Sequence, residues 1–123
     1  MANFFGQKRY ARRYHKKGEM NKTEEEYSRH LEDLRLEGHI QEWKYEPETL
    51  KLGKDCRYTP DFRVFSNDGT IEFHEVKGRS KDKAYIEDDA LVKIKTAAEL
   101  HSLYKFVICW KARAGNWEKR EIN

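Results

Sequence analysis

The segment Lys105-Phe106-Val107-Ile108-Cys109-Trp110-Lys111 is a nearly continuous apolar run with a lysine at each end. A strand that buries both of its faces reads this way, and such strands lie inside a sheet covered on both sides. Helices are the natural covers, so the expected fold class is α/β.

Two stretches carry the helical period. In 22–37, Tyr27, Leu31 and Leu34 fall at i, i+4 and i+7. Thr23 and Glu26 have capping-box spacing, and Gly38 is a suitable stop. In 88–102, Leu91, Ile94, Ala98 and either Leu100 or His101 fall near one face. Strands are expected at 40–46, where Trp43 and Tyr45 share a face, and at 49–52, with Pro47 marking a turn or an edge between them. A third is expected at 57–65, with Tyr58, Phe62 and Val64 on one side. Ser66-Asn67-Asp68-Gly69 is a strong turn signal, and 70–77 returns as the partner strand of a hairpin, ending before Gly78. Residues 79–88 read as a polar loop. Ala114-Gly115-Asn116 reads as a turn before a last strand at 117–122.

The chain of 123 residues is the size of one domain, with no internal repeat or interdomain linker. Charged residues reach 38% against 37% hydrophobic, but 13% are aromatic, which favours a small folded core over disorder. The formal net charge is only +3, unevenly spread. Residues 1–20 hold Lys8, Arg9, Arg12, Arg13, Lys16 and Lys17 against the single acid Glu19, interleaved with Phe4, Phe5, Tyr10 and Tyr14. They read as a basic N-terminal arm on a domain spanning 21–123. Such an arm suits a nucleic-acid partner; a solvated tail, or an arm ordered in an oligomer, accounts for it equally.

Cys56 and Cys109 form no CxxC pair, and the five histidines lack metal-ligand spacing, so neither a disulfide framework nor zinc is expected. No apolar run is long enough for a membrane span and no apolar signal segment opens the chain, which points to the cytoplasm.

The chemistry gathers on the hairpin. Asp61 follows Pro60, and fourteen positions later comes Glu75-Val76-Lys77. On a strand, residues i and i+2 share a face, so Glu75 and Lys77 project together. The turn at Asn67–Gly69 lies about midway between Asp61 and Glu75, so hairpin pairing brings the two acids together. Two carboxylates and an ammonium suit phosphodiester hydrolysis. Hard oxygen ligands hold Mg²⁺ without stripping all its waters. The cation polarises the phosphate and acidifies a bound water. A lysine orients that water and stabilises charge building on phosphorus.

Pro60-Asp61 with Glu75-x-Lys77 resembles the signature of the PD-(D/E)xK nuclease superfamily, in particular small phage endonucleases and Holliday junction resolvases. The order α-β-β-β-α-β is similar to that superfamily's restriction-endonuclease-like core, which implies a mixed central sheet flanked by helices. Asp89 to Lys95, Ala97 to Leu100, and Gly115-Asn116-Trp117-Glu118 add to the likeness, which covers roughly 22–120. The resemblance implies that 21–123 is a nuclease domain cutting DNA with Mg²⁺ or Mn²⁺. Asp61 and Glu75, with the Val76 carbonyl, would hold the metal, and Lys77 would serve the nucleophilic water. An acid on the first helix would complete the site; Glu24, Glu25 and Glu26 are candidates, and Glu26 followed by Leu31 matches best, as a ligand of a second metal or of an outer water. Lys93 or Lys95 would contact the scissile phosphate. The resemblance further implies duplex or branched DNA as substrate, a homodimer for paired cuts, and a phage-infected host cytoplasm.

Blander readings stand beside these. A lone ExK is usually a surface ion pair. Glu26 can simply cap its helix, Lys93 and Lys95 are ordinary solvated helix charges, and His74 should face away from Glu75. A non-catalytic nucleic-acid-binding or assembly protein on a nuclease-like fold is the alternative function.

Overall fold

The computed structural model describes residues 18–80, 83–84 and 88–122. The arm cations Lys8, Arg9, Arg12, Arg13, Lys16 and Lys17 lie outside the described residues. The last residues of the expected arm are fastened to the domain. Gly18 donates its amide to Glu46 Oε1 at 3.1 Å, Tyr45 Oη lies 3.1 Å from the Glu19 carbonyl, and Met20 packs against the core.

Helix α1 spans Lys22–Leu36. It starts two positions earlier than a Thr23 cap requires, because Asn21 is the N-cap. Asn21 Oδ1 accepts the Glu24 amide at 2.8 Å, and Glu24 Oε1 accepts the Asn21 amide at 2.9 Å. The capping box is therefore Asn21/Glu24, not the expected Thr23/Glu26. Asparagine outside the helix is an excellent cap, which leaves Thr23 inside the first turn. At the other end Gly38 takes φ +83°, with the Gly38 amide bonded to the Arg35 carbonyl and the His39 amide to the Leu34 carbonyl. This is a Schellman stop, and glycine suits its left-handed residue.

Strands follow as β1 (Ile40–Tyr45), β2 (Leu50–Gly53), β3 (Cys56–Tyr58), β4 (Phe62–Ser66) and β5 (Ile71–Val76). Next come β6 (Arg79–Ser80), β7 (Lys83–Ala84), helix α2 (Asp88–Leu100), β8 (Lys105–Lys111) and β9 (Trp117–Ile122). Five strands form the central sheet in the order β1-β4-β5-β8-β9. The β5–β8 pair is parallel and its neighbours are antiparallel, so the sheet is mixed. The apolar run of β8 lies between β5 and β9 and is buried from Phe106 to Cys109.

Each sheet face carries one helix and one core cluster. Phe62, Val64, Val76, Val107 and Cys109 pack with Tyr27 and Leu31 of α1. Phe73, Phe106, Ile108 and Ile122 pack with Ile94 and Ala97 of α2 and with Leu50 of β2. The alternation along β5 and β8 divides the side chains between the two faces, as a two-sided strand requires. The protein is thus α/β, with a mixed sheet flanked by helices.

Two strand expectations need correction. Residues 57–65 are not one strand. Pro60 lacks a donor for the ladder and interrupts it, so β3 pairs with β2 in a separate ribbon while β4 joins the central sheet. Tyr58 consequently packs against the α2-side cluster, opposite Phe62 and Val64. Within 79–88, Arg79–Ser80 and Lys83–Ala84 pair as a short antiparallel ribbon rather than lying in open loop.

Candidate active site

The β4–β5 hairpin sets the geometry. Its register pairs Phe62 with His74, Arg63 with Phe73 and Val64 with Glu72. Continuing that register by one residue puts Asp61 opposite Glu75, as the turn position predicts. The turn closes through the Gly69 amide on the Ser66 carbonyl and the Thr70 amide on Asp68 Oδ1.

Asp61 is held from both sides. Its Oδ2 accepts the Val76 amide at 2.8 Å, and its carbonyl accepts the Glu46 amide at 2.7 Å. Glu46 takes φ +42°, an uncommon conformation for a residue with a side chain, where the chain leaves β1. Such local strain persists only where surrounding contacts fix it, and here it lies beside a candidate site.

Glu75 is buried. Its Oε2 lies 3.0 Å from Lys77 Nζ, and its Oε1 accepts the Tyr58 hydroxyl at 2.7 Å. Glu75 and Lys77 thus meet on one face of the strand end. The Val76 side chain turns the other way, into the α1-side core.

Burial pushes the Asp61 carboxyl well above the usual carboxylate range, and the charge of Glu75 adds to the rise. The Val76 hydrogen bond opposes the rise, Glu24 adds a smaller push upward, and Lys77 pulls back down. The Tyr58 phenol is raised too, first by burial and then by Glu75. These couplings describe acids sharing one enclosed field.

The three helix candidates part company. Glu24 is buried, and its Oε1 also accepts the Tyr45 hydroxyl at 3.0 Å. Its charge reaches Asp61. Glu25 is exposed. Glu26 faces a groove, with its Oε1 3.3 Å from Lys111 Nζ. Lys93 and Lys95 are exposed on α2. Tyr58 and Tyr45, each donating to one of the acids, were not singled out as functional residues from sequence. The available signal was the position of Tyr58, three residues before Asp61 and across Pro60.

His74 faces away from Glu75, as strand alternation requires. Its Nδ1 lies 2.6 Å from Tyr27 Oη, and its Nε2 lies 2.8 Å from Glu72 Oε1. Tyr27 Oη in turn lies 3.2 Å from Cys109 Sγ. Burial lowers the His74 pKa and raises that of Cys109 to about 12. The hydrogen bond from His74 holds Glu72 below its usual value. A neutral imidazole explains both histidine and glutamate, since it still donates from Nε2 to the carboxylate. Tyr27 then donates to Nδ1, and the Cys109 thiol donates to Tyr27. This chain is a buried structural network, separate from the acids around Asp61.

Among the described residues, no group of three or more His, Cys, Asp or Glu side chains is gathered closely enough to hold a metal ion. Mg²⁺ does not require such a cage. It keeps several waters and is bound through one or two carboxylates plus substrate phosphate oxygens. Asp61 and Glu75 are hard oxygen donors whose mutual repulsion a cation would relieve, so the donor set fits Mg²⁺ or Mn²⁺.

No family model matches the chain, and no curated protein matches it. One solved structure, that of SSO0001, aligns with 80% of this chain at 18% identity and a TM-score of 0.47. The chain spans 50% of the length of that protein. No described helix is long and apolar enough to cross a membrane.

Proposed function

We propose that this protein is a metal-dependent nuclease of the PD-(D/E)xK type, hydrolysing DNA phosphodiester bonds. One observation carries the reading: Asp61 is bonded to the backbone of the very segment whose side chains, Glu75 and Lys77, form an ion pair. Surface ExK pairs are common, but a buried glutamate tied to Tyr58 and set against an acid with a raised pKa is not a solvated decoration.

In this reading Asp61 and Glu75, with the Val76 carbonyl, hold Mg²⁺ or Mn²⁺. The bound cation supplies charge neutralisation at the phosphate and a more acidic water. Lys77 places an ammonium beside Glu75, where it orients the attacking water and offsets charge developing on phosphorus. Tyr58 fixes the Glu75 carboxylate, leaving Oε2 directed at Lys77. Glu24, buried and felt by Asp61, replaces Glu26 as the helix acid that supports the site. Water oxygen bonds to phosphorus as the ester P–O bond breaks; the water gives up its proton to solvent, and the departing ester oxygen takes one from solvent.

The resemblance extends the proposal to branched or structured DNA, to a homodimer for paired cuts, and to a phage-infected host cytoplasm. A cleavage panel of single-stranded, duplex, flap and four-way DNA tests it, with Mg²⁺ and with EDTA, and with Asp61→Ala as control. The expected result is Mg²⁺-dependent cutting that Asp61→Ala loses. Binding without cutting under every metal would favour a non-catalytic nucleic-acid-binding protein instead.

A further inference from the structure

A groove runs beside Lys77 between α1 and the β8–β9 turn. Two adjoining hollows make it up, of about 520 Å³ and 570 Å³, sharing Glu26, Lys111 and Gly115. The first is also lined by Lys77, Gly78 and Arg113, and the second by Arg29 and Asp33. Four cations thus border the groove against two carboxylates. The turn is fixed by the Gly115 amide on the Ala112 carbonyl and the Ala112 amide on the Asn116 carbonyl. Gly115 takes φ +99°, and a side chain built there would meet nothing within 4 Å, so at Gly115 the groove wall is open backbone.

Inside the groove Glu26 holds Lys111 at 3.3 Å, with the lysine side chain 46% exposed. An exposed pair of that kind is weak and exchangeable. A phosphodiester offers Lys111 the same charge with more oxygens.

We infer that this groove is the track for one nucleic-acid strand leading to Lys77, with Lys111 and Arg113 as phosphate contacts and Glu26 as the displaceable occupant of Lys111. The identity of the ligand rests on the nuclease reading. The groove differs from the α2 surface of Lys93 and Lys95, and it gives Glu26 a role other than metal ligation. Phosphate contacts position a strand without reading its sequence, which suits a domain of this size.

The test is binding of labelled single-stranded and duplex oligonucleotides to the full chain in EDTA, across a salt series. Lys111→Ala and Arg113→Ala are expected to weaken binding several-fold, each lowering the slope of log affinity against log salt by about one. Glu26→Gln is expected to tighten binding, and Lys54→Ala, on the β2–β3 turn, to leave it unchanged. Misfolding would not move Glu26→Gln and Lys111→Ala in opposite directions. Unchanged binding and salt slope in the Lys111 and Arg113 variants would overturn the inference, as would weaker binding by Glu26→Gln. Because EDTA blocks metal chemistry, this result stands apart from cleavage. A wild type that binds through the groove yet never cuts sinks the nuclease reading alone. One that cuts while these variants bind normally sinks the groove alone.

Discussion

Asp61 Oδ2 accepts the Val76 amide at 2.8 Å, so the acid at the mouth of β4 is anchored to the backbone between Glu75 and Lys77. The bond holds Asp61 against Glu75 despite their repulsion, and the folded protein carries that repulsion as a cost.

The cost gives the first prediction. The Asp61 pKa is raised in the folded state, chiefly by burial. The folded state therefore binds this proton more tightly than the unfolded chain does. Its stabilising contribution is present below the unfolded value, near 4, and is lost as pH rises through the raised folded value. Asp61→Asn, which can still accept the Val76 amide, is expected to raise the metal-free Tm at pH 7.5 by roughly 4 °C for about 1 kcal/mol, with little gain at pH 4. Millimolar Mg²⁺ should stabilise the wild type by mass action and leave Asp61→Asn unmoved. Thermal melts at both pH values check this; a lower Tm for the variant at pH 7.5 would contradict it.

Glu24 has two jobs that substitution can separate. Gln at the third helical position still closes a capping box with Asn21, whereas Ala does not. Glu24→Ala is expected to cost about 1 kcal/mol of stability. Glu24→Gln should keep the wild-type Tm within a degree or two while cutting activity falls by at least about tenfold, because the charge reaching Asp61 is gone. Melting and cleavage on the same preparations decide it. Full activity in Glu24→Gln would remove the helix acid from the site.

The network from Cys109 through Tyr27 and His74 to Glu72 makes a stability claim independent of catalysis. Tyr27→Phe strands His74 Nδ1 and Cys109 Sγ in the core, with an expected loss of about 1–3 kcal/mol. His74 has a lowered folded pKa, owing first to burial, so the unfolded chain binds its proton more readily. The stability contributed by His74 is therefore expected to fall as pH drops below about 6.5 toward the folded value, against the opposite trend from Asp61. Urea denaturation of the wild type and of His74→Asn from pH 8 to 5 separates the two: the wild type should lose stability relative to the variant as pH falls.

Phe62 is wholly buried, with Tyr27, Trp43 and Tyr45 within 6 Å, centroid to centroid, and it is the first paired residue after Asp61. Phe62→Ala is expected to cost about 3–5 kcal/mol by leaving a cavity. The wild-type Tm in that variant would mean that the α1-side core is not built as described.

The strongest elements were legible because their physics is local. The apolar run of β8, the Ser66–Gly69 turn and the stripe of Tyr27, Leu31 and Leu34 each carry their own period or turn chemistry. The pairing of Asp61 with Glu75 followed from turn position alone. What escaped depends on atoms distant in sequence. Pro60 divided one expected strand into two that belong to different sheets, and only that division sends Tyr58 to Glu75. Among Glu24, Glu25 and Glu26 the stripe itself held the answer: Glu24 lies three residues before Tyr27 and shares its buried face, while Glu25 is exposed and Glu26 only half-buried. The pairing of Glu26 with Lys111 joins residues on α1 and β8, and no spacing encodes it.

The most direct test of the central claim is the single-turnover cleavage rate of Glu75→Gln and Lys77→Ala on a DNA substrate that the wild type cuts with Mg²⁺, at protein concentrations saturating for binding. The nuclease account predicts that both variants bind this DNA yet cut it at least about 100-fold more slowly. Wild-type rates in either variant, or a wild type that cuts equally well in EDTA, would contradict it.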